Sequence, residues 1–343
     1  MTSAGGGPGQ GPGQGPGQGP GQGRDRAVDG GPARGHLAML VFSLIVAGSF
    51  ALGSRVATLI DPAALNAVRF WLAALVIGAA LLARGAGLAG AARAPWRYLV
   101  LGGLYAVYFV LMFEGLKTAS PVSSSAVFTL TPVLSALFGR ALLRQRVSPR
   151  IAAALAIGGA GAIWVIFRAD LAAILRFEIG RGEAVFLVGC VAHALYTPMV
   201  RRLNRGEAPL VFTFGTLLGG GAILTAWGWR GIAATDWAAL PPIAWITLLY
   251  LALFASATTV VLLQYAALRL PASKVMAYTY LTPSWVILVE LAAGGGAPPA
   301  LSLLGVAATM LALLLLLRDE EAQPSPSSRA RNASKASRSS PSI

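Results

Sequence analysis

Ten apolar runs, each about 20 residues long, alternate with short polar segments along most of the chain. A helix needs about 20 residues to cross the hydrocarbon core of a bilayer, so each run predicts one transmembrane helix. The predicted spans are 37–57, 63–83, 97–116, 120–140, 150–168, 183–203, 209–229, 242–263, 274–293 and 299–317. The pattern therefore predicts an all-α membrane protein with ten transmembrane helices.

Two stretches of the chain match each other, which indicates a duplication. The stretch from Phe113 reads FEGLKTASPVSSSAVFTLTPVLSALFG and the one from Tyr265 reads YAALRLPASKVMAYTYLTPSWVILVE. Each contains Leu-Thr-Pro, ending at Pro132 and Pro283, and a proline inside a helix deprives the carbonyl four residues earlier of its donor. Two helices broken at matching places point to a transporter's substrate site, although each proline could equally be an ordinary kink.

Composition agrees with a membrane protein and argues against nucleic acid as a partner. The 343 residues are 56% hydrophobic and 12% charged, with a mean hydropathy of +0.67, whereas soluble domains carry about 25% charge. The net charge of +14 is therefore read as loop charge rather than as a nucleic-acid surface. The single cysteine, Cys190, excludes a cysteine-based metal site, and no metal or cofactor is predicted.

The positive residues predict the orientation. Of the 27 Lys and Arg, twenty fall on the side of the two chain ends, six on the other side, and Arg69 lies inside the second span. This asymmetry predicts a multi-pass protein of the cytoplasmic (inner) membrane with both termini in the cytoplasm. Because five is odd, the second five spans enter the membrane from the opposite side, which predicts two inverted five-helix repeats around a central cavity.

The expected domain organisation follows from the spans and from two low-complexity ends. Pro-Gly-Gln-Gly occurs four times between Pro8 and Gly23, and Ser, Pro and Arg dominate the other end, so both are expected to be disordered. The predicted segments are a 1–35 Gly/Pro/Gln-rich tail, a 36–168 first repeat, a 169–181 linker, a 182–318 second repeat and a 319–343 cytoplasmic tail.

Three motifs stand in order along these spans. They are Ala67-Val68-Arg69-Phe70, the two Leu-Thr-Pro sequences, and Gly182-Glu183 followed by Ala192-His193-Ala194-Leu195-Tyr196. Together with ten spans in two sets of five, they resemble the drug/metabolite transporter superfamily in its EamA-like branch. The resemblance, which covers residues 37 to 317, implies that spans one, three, four, six, eight and nine surround a central cavity while five and ten lie outside it.

Polar groups inside a span are costly, which makes them the first candidates for a substrate site. His193 lies about ten residues, or ~15 Å, from either end of its span. It is predicted to bind substrate or relay a proton, and the alternative is an interhelical packing bond. The aromatic candidates lie on the spans that the resemblance places around the cavity: Tyr105, Tyr108, Tyr196, Tyr278 and Trp285.

Three charged residues lie nearer the outer ends of their spans. Glu114 and Glu290 are about 5–6 Å from those ends, so each can either bind substrate or extend to the interface. Arg69 is about 9 Å from the outer start of span two, at a depth similar to that of Glu114, and the two are placed to form an ion pair. Whether such a pair binds substrate or only neutralises itself is left open.

These features favour a secondary transporter that moves a small organic metabolite, an amino acid or similar, by alternating access, with efflux as the expected direction. No ATP-binding Gly-rich loop is present, so the energy would come from a gradient or from the substrate itself. The alternatives are a proton-coupled uptake permease of the same fold, an intramembrane enzyme or a receptor. An enzyme is not expected, because the chain has no Gly-x-Ser-x-Gly motif and few groups for catalysis. The partners are the substrate and the lipid bilayer, and a homodimer is left open.

Overall fold

The computed structural model describes residues 32–85, 94–144, 147–267 and 277–318, and within these ranges the chain is helical with no strand. The first half contains α1 (Pro32–Val56), α2 (Pro62–Ala83), α3 (Trp96–Leu116), α4 (Pro121–Phe128), α5 (Thr131–Leu143) and α6 (Pro149–Ile166), followed by the short α7 (Leu171–Arg176). The second half contains α8 (Arg181–Leu203), α9 (Pro209–Ala234), α10 (Pro242–Ala252), α11 (Thr259–Ala267), α12 (Thr282–Ala292) and α13 (Ser302–Arg318). A π-helical segment, Leu253–Thr258, joins α10 to α11, and 3-10 turns occur at Trp237–Ala239 and Tyr278–Leu281.

Eight helical segments among the described residues are long and apolar enough to cross a bilayer. They correspond to the first eight predicted spans, with α4 and α5 together forming the fourth and Pro242–Leu263 forming the eighth. The ninth predicted span begins at residues outside the described ranges and continues as α12, while α13 is a 17-residue apolar helix at the tenth. The predicted boundary of the first tail differs from the structure, because residues 32–35, expected in the disordered tail, already belong to α1.

Local sequence signals explain where several helices begin. α2, α4 and α6 each start with a proline that follows a polar side chain: Asp61, Ser120 and Ser148. Each of these side chains accepts a hydrogen bond from a backbone amide three residues later, at 2.9, 3.1 and 3.2 Å. Capping and a proline at the first helical position are the usual start signals of a helix. Sharp turns at these points let each span reverse direction.

Contacts at both ends of α3 and α8 show that these two helices run antiparallel. At the start of α3, the Nη1 atom of Arg97 donates to the carbonyl of Leu203 at the end of α8, 2.6 Å away. At the other end of the same pair, a Cβ on Gly115 would lie 2.7 Å from the carbonyl oxygen of Gly182. We call the end of the bundle where α1 begins the proximal end and the opposite end the distal end.

Glycines allow the closest helix crossings. A Cβ on Gly102 of α3 would lie 2.2 Å from the backbone nitrogen of Gly220 on α9. A Cβ on Gly161 of α6 would lie 2.6 Å from the carbonyl oxygen of Gly305 on α13. Small residues let helix backbones meet in this way, and the resulting dispersion contacts hold membrane helices together. The closely packed pairs are α2 with α9, α3 with α8 and α9, and α6 with α13.

Candidate functional site

Five rings meet where α3, α4 and α8 approach one another, and we call them the aromatic cluster: Tyr105, Tyr108, Phe128, His193 and Tyr196. The His193 ring centroid lies 4.5 Å from that of Tyr108, 5.6 Å from that of Phe128 and 6.0 Å from that of Tyr105. Tyr105 and Tyr196 stack with centroids 3.9 Å apart and planes inclined by 19°. The two residues from α3 are three apart, as are the two from α8, so each pair shares one helix face. The structure thus brings together four residues that the sequence nominated.

The aromatic cluster lies near the middle of the membrane spans that carry it. His193 is twelve residues after Arg181 and ten before Leu203, the two ends of α8. At 1.5 Å per residue, the imidazole is therefore about 15 Å from the nearer end of its helix. The Nδ1 atom of His193 is buried and has no hydrogen-bond partner among the described residues. An unpaired buried polar atom costs about 1–3 kcal/mol, so it calls for an explanation such as a ligand.

The interruption of the fourth span lies beside His193. Phe128, which contacts the imidazole, is the last residue of α4, and α5 begins two residues later at Thr131. Between them the amide of Leu130 bonds to the carbonyl of Val127, only three residues back, at 3.0 Å. In the second half the chain leaves the 3-10 turn Tyr278–Leu281 and α12 begins at Thr282. Both Leu-Thr-Pro sequences, with Pro132 and Pro283, therefore stand where a helix restarts.

Arg69 is buried on the distal side of the aromatic cluster, with 1% of its surface exposed. Its Cζ atom lies 3.9 Å from the ring centroid of Phe109, which is itself 5.6 Å from Tyr105. Its three hydrogen bonds go to neutral acceptors: Nε to Ser256 Oγ (3.1 Å), Nη1 to Asn66 Oδ1 (3.4 Å) and Nη2 to the Ala255 carbonyl (3.3 Å). The guanidinium thus ties α2 to the π-helical segment of the eighth span.

The expected ion pair between Arg69 and Glu114 is not formed. Glu114 instead accepts a hydrogen bond from Lys117, one turn later at the distal end of α3, with 2.8 Å between Oε1 and Nζ. Both of those side chains are about a third exposed, whereas Arg69 is enclosed. A short-range (i, i+3) partner at the end of its own helix is available to Glu114 without burial, which explains the difference.

Three other predicted residues lie apart from the aromatic cluster. The hydroxyl of Tyr278 lies 2.7 Å from Nδ1 of His36 near the proximal end. The indole nitrogen of Trp285 donates to Ser43 Oγ on α1 at 2.9 Å. Glu290 Oε1 is 4.0 Å from Nη2 of Arg55 at the distal end, an ion pair that is too long for a hydrogen bond.

A buried ion pair at the proximal end was not anticipated from the sequence. There, Arg97 counted only as one of the positive residues that predict the orientation in the membrane. Nη2 of Arg97 donates to Oε1 of Glu207 at 2.5 Å, in the turn between α8 and α9. The backbone amide of Arg205 donates to the other carboxylate oxygen at 2.7 Å. The Arg97 hydrogen bond lowers the pKa of Glu207 to about 2, followed by the smaller effect of the Arg205 amide. The pair fastens the start of α3 to the second half.

Sequence reasoning also missed Phe109, Phe128 and Ser256. The two phenylalanines carry no polar signal, although Phe109 lies four residues after Tyr105 on the same helix face. Ser256 sits in a segment whose π-helical geometry has no plain sequence signature, and its Oγ also donates to the Leu251 carbonyl five residues back at 3.0 Å. π-helical turns inside α-helices are frequent at functional sites.

A concave region with a volume of about 510 Å³ opens at the distal end, away from the aromatic cluster. Its lining includes Asp61 and Asp236, and each carboxylate accepts a bond from a backbone amide three residues later. These carboxylates therefore serve as helix caps. Across the described ranges, no group of three or more His, Cys, Asp or Glu residues is arranged to hold a metal ion.

Comparison with known proteins gives two sequence relatives and a structural match. The chain is 25% identical over 262 residues to the "Uncharacterized transporter YyaM" of Bacillus subtilis, covering 76% of this chain and 86% of that protein. It is 34% identical over 131 residues to the "Aromatic amino acid exporter YddG" of Ancylobacter novellus, covering 38% of this chain and 43% of the exporter. A solved crystal structure superposes with a TM-score of 0.62 at 23% identity, over 85% of this chain and 98% of the other, which supports the fold.

The model of the EamA-like transporter family matches the chain twice, over residues 33–167 and 180–318. The two matches divide the chain at the linker that contains α7. The described part of the chain alone holds eight apolar helices long enough to cross a bilayer, so the chain is a multi-pass membrane protein. Because the matches cover both halves, the protein belongs to the EamA-like transporter family and is a membrane transporter rather than an enzyme.

Proposed function

We propose that the protein is a secondary transporter that exports a small organic metabolite, an amino acid or a similar compound, across the cytoplasmic membrane by alternating access. The observation that carries this proposal is the aromatic cluster, which lies near mid-depth between helices of both halves and encloses an unpaired imidazole nitrogen. Such rings offer apolar area with polar tips, which suits a small amphipathic molecule. One relative is named as an aromatic amino acid exporter, which supports both the substrate class and the direction.

The proposed site consists of His193 with Tyr105, Tyr108 and Tyr196, and it extends to Arg69 through Phe109. His193 would hydrogen-bond the substrate through Nδ1, while the stacked pair of tyrosines would face its apolar part. The remaining nominated residues, Tyr278, Trp285, Glu114 and Glu290, bond to neighbouring helices or to nearby charges. In our proposal those four support the helices around the site.

We further propose ten spans arranged as two inverted repeats. The main helix contacts correspond when the two halves are exchanged. The sixth span, α8, packs on the third and fourth spans, and the first span, α1, packs on the eighth and ninth spans. The pairs α2 with α9 and α6 with α13 join equivalent spans. Such symmetry is a common architecture of secondary transporters.

A matched pair of hydrogen bonds supports the same symmetry. His36 and Glu183 stand at the same place in the two family matches, each the fourth residue from the start and each preceded by Arg-Gly. Glu183 accepts a bond from Ser123 on the fourth span, 2.7 Å away near the distal end. His36 lies 2.7 Å from the hydroxyl of Tyr278 on the ninth span, near the proximal end. We propose that these contacts close opposite ends of the bundle in turn, with the proximal end in the cytoplasm.

Flux into and out of reconstituted vesicles tests the transport proposal. We expect saturable flux of an amphipathic metabolite, and we expect His193→Ala to abolish it while expression stays normal. Tyr105→Phe, which keeps the stacked ring, should retain more flux than Tyr105→Ala. Trp227→Ala, on a half-exposed ring outside the aromatic cluster, is the matched control and should behave like wild type.

The direction of transport is read from the same vesicles. Export with no accumulation on the cytoplasmic side supports the proposed direction, whereas accumulation there driven by a proton gradient would favour an uptake permease. Full flux in the His193→Ala variant would show that His193 serves only in helix packing. Absence of flux across a broad panel of amino acids and related metabolites would overturn the proposed function.

A further inference from the structure

Arg69 is a buried cation without an acidic partner among the described residues. Its three bonds go to a hydroxyl, an amide oxygen and a backbone carbonyl, none of which carries a charge. Glu114, the acid that the sequence predicted as its partner, is engaged with Lys117 instead. A charge inside a membrane protein is costly unless it is paired, and charges of this kind mark substrate pathways. An anion that compensates the positive charge of Arg69 would therefore have to come from outside the chain.

The hydrogen bonds of Arg69 leave some of its donors available to such an anion. A guanidinium has five N–H groups, and Arg69 uses one on Nε, one on Nη1 and one on Nη2. One hydrogen on each terminal nitrogen remains. A guanidinium can bind the two oxygens of a carboxylate with two N–H donors at once, and such charge-assisted bonds are about twice as strong as neutral hydrogen bonds.

The position of the guanidinium fits a ligand that also occupies the aromatic cluster. Phe109 lies against Arg69 on one side, with its ring 3.9 Å from Cζ, and against Tyr105 and Tyr108 on the other, at 5.6 and 4.7 Å. Phe109 is one helical turn distal to Tyr105, a rise of about 6 Å along α3. This offset is comparable to the length of a small molecule that carries a carboxylate at one end and an apolar group at the other.

The second half of the chain holds the guanidinium in place. Ser256 and Ala255, both in the π-helical segment, accept two of its three bonds. The Ala255 carbonyl also accepts from Thr259 Oγ1 at 3.2 Å, so this part of the span is itself held by side chains. A donor held from both halves is preorganised, which lowers the entropic cost of binding.

We propose that Arg69 binds the carboxylate of the transported molecule, so that the substrate class is small organic acids, including amino acids, with an apolar or aromatic body. This inference rests on the proposed transport function. It assigns the acidic end of the substrate to the distal side of the aromatic cluster and the apolar end to the tyrosines.

The test compares acids with their primary amides, which keep the shape and lose the negative charge. The probes are 3-phenylpropionate and 3-phenylpropionamide, phenylalanine and phenylalaninamide, and leucine and leucinamide. Binding to the purified full-length protein and flux in vesicles are measured for each pair. We expect wild type to prefer the acid of at least one pair by about 10- to 100-fold, the range of a hydrogen-bonded charge. In Arg69→Gln this ratio should fall to about 1 through loss of acid binding, with the amide unchanged.

Control variants separate recognition from folding. Arg230→Gln removes an exposed arginine at the distal end and should leave the ratio unchanged. Arg69→Lys keeps the positive charge but loses the paired N–H donors of the guanidinium, and it should retain part of the preference for the acid. This variant still tests the inference if Arg69→Gln does not fold. Ser256→Ala removes one anchor and should lower the ratio only in part.

The outcomes distinguish this inference from the function on which it rests. If amides and acids bind and cross the membrane equally well in wild type, transport stands and the role of Arg69 in carboxylate binding is overturned. If Arg69→Gln weakens both members of a pair equally, the residue is a structural tether and the inference fails. If no member of any pair shows saturable binding or flux, both the proposed function and this inference are overturned.

Discussion

Replacing Gly102 by alanine should destabilise the bundle, because α3 and α9 touch backbone to backbone at this residue. The added Cβ would lie 2.2 Å from the nitrogen of Gly220, 2.7 Å from its Cα and 2.8 Å from the carbonyl carbon of Gly219. Carbon contacts are relaxed at about 3.5–4.0 Å, so the two helices must separate by roughly 1 Å. None of the three opposing atoms can move by rotation of a side chain.

The expected cost is about 1–3 kcal/mol, the usual range for an extra methyl group in a packed interior. Gly103→Ala provides a matched control on the next residue of the same helix. A Cβ there would meet only the Cδ1 atom of Ile223, at 3.5 Å, which is an ordinary contact. Since alanine is also a better helix former than glycine by about 1 kcal/mol, this control should be neutral or slightly stabilising.

Thermal unfolding of the detergent-purified protein measures the difference. Gly102→Ala should lower the midpoint relative to wild type, while Gly103→Ala should leave it unchanged or raise it. Vesicle flux should fall with the first variant as well, because the displaced helix carries Tyr105 and Tyr108. Equal midpoints for the two variants would refute the close approach of α3 and α9.

Three further predictions follow from named contacts. The hydrogen bond from Arg97 lowers the pKa of Glu207 to about 2. The ion pair should therefore stabilise the fold fully above about pH 5, and this stabilisation should be lost as pH falls from about 4.5 towards 2. The difference in unfolding midpoint between wild type and Glu207→Gln should accordingly be constant between about pH 5 and 7 and shrink below about pH 4. Gly161→Ala should lower the midpoint by the equivalent of about 1–3 kcal/mol, because its Cβ would lie 2.6 Å from a carbonyl oxygen of α13, whereas Gly159→Ala, with its nearest atom at 3.7 Å, should not. Glu183→Leu removes the buried acceptor of a hydroxyl on α4 at 2.7 Å and should cost about 1.5–3 kcal/mol in denaturant unfolding; an unchanged stability would show that this bond contributes nothing.

The sequence predicted those features that depend on interactions within one helical turn or on the thickness of the surrounding bilayer. Apolar runs of about 20 residues predicted the first eight spans, since a bilayer demands that length of every crossing helix. Prolines marked where α5 and α12 begin, because the missing amide acts within one turn. The Tyr105–Tyr108 and His193–Tyr196 spacings likewise placed each pair on one face of its own helix. The motif order indicated the EamA-like branch, and the family match confirms it.

Tertiary packing alone decided which of these faces meet. Arg69 finds Ser256 at a separation of 187 residues, and Tyr278 finds His36 at 242, so neither partner follows from any spacing along the chain. Similar depth in the membrane made Glu114 a reasonable partner for Arg69, but depth does not determine the rotation of a helix about its axis. That rotation depends on where small residues such as Gly102 and Gly161 let backbones approach, and these contacts form only when distant helices are packed together.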